Sequence, residues 1–171
     1  IDERFRRPLL NSATYRAEGH SSEDILHYSL QLSEHFLDLC SSKPGVVAGA
    51  RQLMDYLQQR GYRLHMASNG FHEVQYKKLE ACGLHSYFDT IILSEDAGAN
   101  KPSAQFFDYA LRLTGAKRDT TLMIGDNLQT DILGAKRAGM DTIFLNRFPD
   151  HETSQEPTFT VTSLPAIMTI L

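Results

Sequence analysis

Between residues 22 and 39 the apolar positions Ile25, Tyr28, Leu32, Phe36 and Leu39 recur at steps of three and four, the spacing of one helix face. Residues 1–10 read as a charged helix, so the first 41 positions predict helix with no strand-like alternation. Ser41-Ser42-Lys43-Pro44-Gly45 breaks the pattern and divides a helical part, 1–43, from the remainder of the chain, 44–171. Val47, Ala50, Met54 and Leu57 then form a helical stripe stopped by Gly61. Residues 62–67 read as a strand, and 71–82 as a helix stopped by Gly83. Short apolar strands are expected at 90–93, 121–124, 141–145 and 159–161. Helices are expected at 103–114, with Pro102 at the first helical position, at 127–138, and at 163–171 with Pro165 in its first turn. Strands this short and apolar suit a parallel sheet covered on both faces. The fold class expected is therefore α/β, a doubly wound parallel sheet at 44–171 preceded by a helical cap or insertion at 1–43.

Composition narrows the function. At 171 residues the chain suits one domain with a small appendage. A chain of that size buries about 70% of its unfolded surface, enough for a real core. A net charge of -4 leaves no basic surplus to neutralise nucleic acid or an anionic membrane as the main partner. A local pocket for one small anion remains allowed. No apolar run reaches the ~18 residues of a membrane span. Cys40 and Cys82 lack metal-type spacing, which fits a reduced, cytoplasmic setting. The sequence opens at Ile1, not Met, inside a helical pattern, so a missing N-terminal segment is expected.

In open parallel sheets ligands bind beyond the carboxyl ends of the strands, so the residues there carry the functional argument. After the first strand come Ser68-Asn69-Gly70 and a helix start. A hydroxyl, backbone N–H groups and the positive helix end of about half a charge suit an anion. The same residues also read as a plain turn and cap. After the second strand Lys101 stands just before a helix, where a cation is disfavoured unless an anion lies between. A solvated lysine is the alternative. Glu95 and Asp96 in that loop read as caps, without a chemical role. After the third strand Gly125-Asp126 is followed by Asp131, which can fold back beside it. Two carboxylates without a basic neighbour in sequence suit Mg²⁺, which takes one or two carboxylates plus phosphate and water. Either aspartate could instead be an N-cap. Together the three strand ends offer what phosphoryl transfer asks of a protein: hold the anion, neutralise it, bind the metal.

Ser68-Asn69-Gly70, Lys101-Pro102 and Gly125-Asp126 with Asp131 resemble the second, third and fourth motifs of the haloacid dehalogenase-like hydrolases. The resemblance runs from about residue 44 to 171. It is most similar to the helical-cap subgroup that includes the pyrimidine 5′-nucleotidases, with 1–43 similar to the latter part of that cap. It implies a Mg²⁺-dependent phosphatase acting on a small phosphorylated metabolite, possibly a nucleoside 5′-monophosphate, through an aspartyl-phosphate. It implies that Ser68 and the Asn69 and Gly70 backbone bind phosphate, and that Lys101 neutralises phosphate and nucleophile. Asp126 is implied as a metal ligand, and Asp131 as a metal-site residue orienting a bound water or Lys101.

The family's first motif, Asp-x-Asp, is absent from these 171 residues. The expectation is that the nucleophile lies upstream of Ile1, on a strand between those bearing Ser68 and Asp126. Residues 1–171 alone are then expected to be inactive and poorly stable, with two strand edges facing a gap. The alternatives are a haloacid dehalogenase, which needs no metal, and a non-catalytic phosphate-binding module. A receiver domain has the opposite order of lysine and aspartates. The histidines, including His65, read as surface or satisfied core residues. Arg4, Arg6 and Arg7 read as a solvated helix face, and Arg147 and Phe148 could border the site.

Overall fold

The structure is a computed structural model, and it describes residues 2–148 and 157–171. The chain divides into two compact units, Ile1–Lys43 and Pro44–Leu171.

The first unit is helical: α1 (Asp2–Asn11), α2 (Ala13–Ala17) and α3 (Ser22–Ser41). A reciprocal capping box starts α3. The Ser21 hydroxyl accepts from the Asp24 N–H at 3.1 Å, and the Asp24 carboxylate accepts from the Ser21 N–H at 2.8 Å. Phe5 meets Phe36 edge-on, 5.6 Å between centroids. Of the expected apolar stripe only Ile25 is buried, while Tyr28, Leu32, Phe36 and Leu39 are exposed. The buried row is instead Ile25, Ser29 and Ser33, spaced by four. Serine is small enough to admit a neighbouring helix closely, and the two hydroxyls are satisfied by the carbonyls of Leu26 and Ser29.

In the second unit α4 (Ala50–Gln59) leads to β1 (His65–Ser68), and α5 (His72–Cys82) to β2 (Thr90–Leu93). Next come α6 (Ser94–Ala97), α7 (Ala104–Thr114) and β3 (Leu122–Gly125). A π-helical turn (Leu128–Ile132) runs into α8 (Leu133–Arg137), followed by β4 (Asp141–Leu145), β5 (Phe159–Val161) and a closing 3₁₀ turn (Pro165–Thr169). Several expected boundaries move for local reasons. β1 begins three residues late, because the Tyr62 N–H closes α4 on the Leu57 carbonyl and the Leu64 N–H goes to the Asp89 carboxylate. Residues 94–97 are helical, not loop. Pro102 precedes the cap of α7 and is not its first residue: Ser103 is the N-cap, its hydroxyl accepting from the Gln105 N–H. The Lys101–Pro102 peptide is cis.

All strand pairs are parallel, as the sequence pattern expects, but they form two sheets and not one. β1 pairs with β2, and β3, β4 and β5 form the other sheet in that order. β1 and β3 are half-buried along their whole length, whereas β4 is buried from its second residue. Side chains, not a backbone ladder, join the two sheets. One core gathers Leu53 and Leu57 of α4 with Ile143, Leu145, Val161 and Ile167, and packs on Leu64, Leu122 and Ile124. The other gathers Ile92, Phe106, Phe107, Ala135 and Met140, with Ala67 and Met123 beside them. Each fully buried Phe or Ile contributes about 1.5–3 kcal/mol relative to exposure. His65 departs from a satisfied core histidine: its Nδ1 is buried with no hydrogen-bond partner among the described residues.

Candidate active site

The site grows from three chain segments that leave β1, β2 and β3. Ser68 closes β1, opposite Leu93 of β2. α5 starts at His72, and its N-cap, Phe71, has no side-chain oxygen to offer the helix end. The carboxylate of Glu95 supplies it, accepting from the His72 N–H at 2.8 Å. A glutamate from the β2 exit therefore caps the helix that follows β1. Neither Asn69 nor Gly70 serves as this cap.

Lys101 is 8% exposed. Its ammonium donates to the Ala67 carbonyl at 2.7 Å and pairs with Asp131 Oδ1 at 2.8 Å. Ala67 belongs to the end of β1, and Asp131 to the turn after β3, so one ammonium bridges the two sheets. An ammonium has three donors, and these bonds use two of them. The Phe106 ring lies 5.9 Å from Nζ, within cation–π range. The backbone of Lys101 is held as well. Its N–H donates to Asn69 Oδ1 at 2.7 Å, and its carbonyl accepts from Asn69 Nδ2 at 3.0 Å.

The two aspartates differ sharply. Asp131 is buried, and both oxygens are engaged: Oδ1 by Lys101 and by the Thr130 hydroxyl at 3.3 Å, Oδ2 by the Asn127 N–H at 3.2 Å. Asp126 is exposed. Neither is the N-cap of the following turn. That role falls to Asn127, whose Oδ1 accepts from the Gln129 and Thr130 N–H groups at 3.0 and 2.9 Å. Gly125 is required for a different reason: a Cβ there would meet Asp131 Cβ and Oδ2 at 2.5 Å. The missing side chain is what lets Asp131 fold back beneath the strand end.

Donor chemistry tests whether these residues suit Mg²⁺. Among the described residues no three His, Cys, Asp or Glu side chains gather as an all-protein metal cage. One exposed carboxylate, Asp126, stands at the strand mouth with no capping duty. Mg²⁺ binds through one or two carboxylates and fills its remaining positions with water and phosphate oxygens, so the set fits. Asp131, turned toward Lys101, is placed to orient the lysine.

A cleft of about 490 Å³ opens beside these segments, with Asn69, Gly70 and Phe71 on one side and Ser94, Glu95 and Asn100 on the other. A larger cleft of about 830 Å³, lined by Asp108, Arg112, Lys117 and Arg118 among others, contains none of the strand-end residues. The side chain of Arg4 lies outside the described residues, and Arg7 is exposed. Arg147 stacks near Phe148, 6.0 Å from its ring, and Phe148 is exposed. Sequence reasoning missed the Asn69 side chain and Gly125 as space for Asp131; it read Glu95 as a cap, but of its own loop and not of α5. Asn69 and Glu95 act on partners 32 and 23 positions away, and no local spacing announces them.

Residues 8–145 match the family of haloacid dehalogenase-like hydrolases. The chain is 36% identical over 149 residues to the pyrimidine 5′-nucleotidase YjjG of Escherichia coli K12, covering 82% of this chain and 63% of that protein. It is 41% identical over 90 residues to a glyceraldehyde 3-phosphate phosphatase of Methanothermobacter thermautotrophicus, covering 53% of this chain and 40% of that one. The chain thus spans less than two thirds of the length of either relative. Among solved structures, the HAD-hydrolase YfnB of Bacillus subtilis, bound to magnesium, superimposes with a TM-score of 0.78 at 26% identity. That match covers 99% of this chain and 80% of the other.

Proposed function

The chain belongs to the haloacid dehalogenase-like hydrolases, and on that footing we propose that it is the greater part of a Mg²⁺-dependent phosphatase for a small phosphomonoester. A nucleoside 5′-monophosphate heads the candidate substrates, on the likeness to the nucleotidase. The observation that carries the reading is the Lys101 ammonium. It is buried, held by Ala67 and Asp131, and has one donor left for an anion at the mouth of β1.

In this reading the phosphoryl group sits where β1 gives way to α5. The Ser68 hydroxyl and the backbone N–H groups of Asn69 and Gly70 donate to its oxygens, helped by the positive end of α5. Lys101 offsets the charge that the phosphoryl oxygens and the nucleophile bring together. Asp131 keeps Lys101 aimed. Asp126 would hold Mg²⁺, which when bound neutralises phosphoryl oxygens and helps orient them. Donors fixed before the reaction stabilise the transition state without reorganising, the largest single contribution in chemistry of this type.

The nucleophile is an aspartate on a strand outside residues 1–171, lying between β1 and β3. It attacks phosphorus, and a second aspartate two residues on protonates the leaving alcohol and then activates water. Two observations support this placement. No Asp-x-Asp occurs in the 171 residues. β1 and β3, the strands that lead to the chemistry, are half-buried and unpaired with each other. The reduced cysteines, Cys40 and Cys82, suit a cytoplasmic enzyme.

The test is phosphate release from an aryl phosphate in Mg²⁺, by residues 1–171 and by the natural protein. Residues 1–171 alone should release none. The natural protein should turn over only with the metal, and Asp126→Ala should abolish this. Lys101→Met should lower kcat on the order of 10²–10³-fold, as loss of one preorganised donor does. Turnover by residues 1–171 alone would place the nucleophile within them. Full activity of Asp126→Ala or Lys101→Met would remove the phosphatase reading of this site.

A further inference from the structure

We propose that the side chain of Asn69 is a positioning residue for Lys101: its amide clasps the lysine's backbone and so fixes where the ammonium points. The proposal rests on the reading of Lys101 as the phosphate-neutralising group. It gives Asn69 a task distinct from any contact its own backbone makes with the anion.

The clasp has two ends. Oδ1 accepts from the Lys101 N–H at 2.7 Å and Nδ2 donates to the Lys101 carbonyl at 3.0 Å. A backbone N–H only donates and a carbonyl only accepts, so the amide has one orientation that satisfies both. Asparagine is the side chain that suits this task. Aspartate lacks the donor, serine has a single atom to offer, and glutamine is one methylene too long. The ammonium at the far end of the same residue is anchored to Ala67 and Asp131. Lys101 is therefore fixed at its backbone by the β1 exit, and at its head by the end of β1 and the turn after β3. A free lysine side chain carries rotamer entropy, which this arrangement removes before any ligand arrives. Misplacement of a reacting group by about 1 Å can cost on the order of 10²-fold in rate.

A second tie joins the same two segments, from Glu95 Oε2 to the His72 N–H at 2.8 Å. It keeps the β2 exit against the β1 exit when Asn69 is changed. Loss of the clasp should thus misdirect Lys101 without detaching the loop, and Asn69 variants should fold.

The experiment is a double-mutant cycle in the natural protein, read as kcat for an aryl phosphate in Mg²⁺ and as Kd for inorganic phosphate. Asn69→Asp keeps the acceptor and loses the donor; Asn69→Ser serves in its place if the first does not fold. Each is expected to lower kcat about 10- to 100-fold in the Lys101 background. In the Lys101→Met background the same change should have little further effect, because the group it positions is gone. Phosphate affinity should follow the same non-additive pattern. An Asn69 effect of equal size in both backgrounds would mean a general structural role and overturn the proposal. Wild-type activity of Asn69→Asp would overturn it too. Should Lys101→Met itself leave turnover unchanged, the phosphatase reading of the site fails first, and this proposal with it.

Discussion

At the level of single residues, chemical type was legible and partnership was not. Lys101, Asp126 and Asp131 stand out in sequence because their charges are hard to justify at strand ends without a ligand. That Asp131 is buried against Lys101 depends on Gly125, whose lack of a Cβ leaves room for the Asp131 carboxylate, while Asp126 is exposed. His65 shows the same limit. A histidine in a short strand reads as ordinary core, yet its Nδ1 is buried without a partner among the described residues. Burial first, and the nearby Arg63 second, hold its pKa below the usual 6.5, against a smaller opposing pull from Asp89. The proton then prefers the unfolded chain. His65 contributes stability in full above pH 6.5, and that contribution falls as the pH drops through 6.5 toward the lowered folded value. The ring's NMR titration midpoint should lie below 6.5. His65→Asn should flatten this part of the pH dependence of the denaturant midpoint of the natural protein. A midpoint at or above 6.5 would contradict the burial argument.

At the level of elements, periodicity and stop signals located most helices and strands, since both report local geometry. Gly61, Gly83 and Gly115 each take a positive φ where a helix was expected to end. The failures occur where tertiary bonds compete with local ones. β1 loses its first residues to capping bonds, and the helix expected at 127–138 opens with a π turn around Asp131. Packing between α7 and α8 is equally invisible in sequence. A Cβ on Gly134 would collide with the Phe107 ring and come within 2.9 Å of Pro102 Cα. That contact seats α8 directly against the Lys101-Pro102 segment. Gly134→Ala should therefore destabilise the natural protein by about 1–3 kcal/mol, the usual cost of overpacking, although alanine favours helix. An unchanged or higher denaturant midpoint would show that α8 can shift aside.

At the level of the whole molecule, the described strands form two ladders and not one continuous ladder. Among the described residues no strand pairing joins the two sheets, and β1 and β3 are each half-buried along their length. On α3 the exposed Leu26, Leu30, Leu32 and Leu39 add apolar surface to water. A chain in this condition should melt broadly and bind a hydrophobic dye such as ANS. A sharp transition in residues 1–171, with no dye binding, would mean that the two sheets already form a complete unit.

The sequence by itself determined the α/β class, the parallel strands, and the positions of Ser68 at the end of β1 and Asp126 just after β3. These are carried by local periodicity and by residue type, which survive without any knowledge of distant contacts, and the family membership is carried by likeness to known proteins. Only the tertiary structure decided that Asn69 clasps Lys101, that Glu95 caps α5, that Asp131 rather than Asp126 pairs with the lysine, and that the strands divide into two sheets. Those outcomes join residues some thirty positions apart. They are set by which groups can satisfy one another once the core has brought the strand ends together.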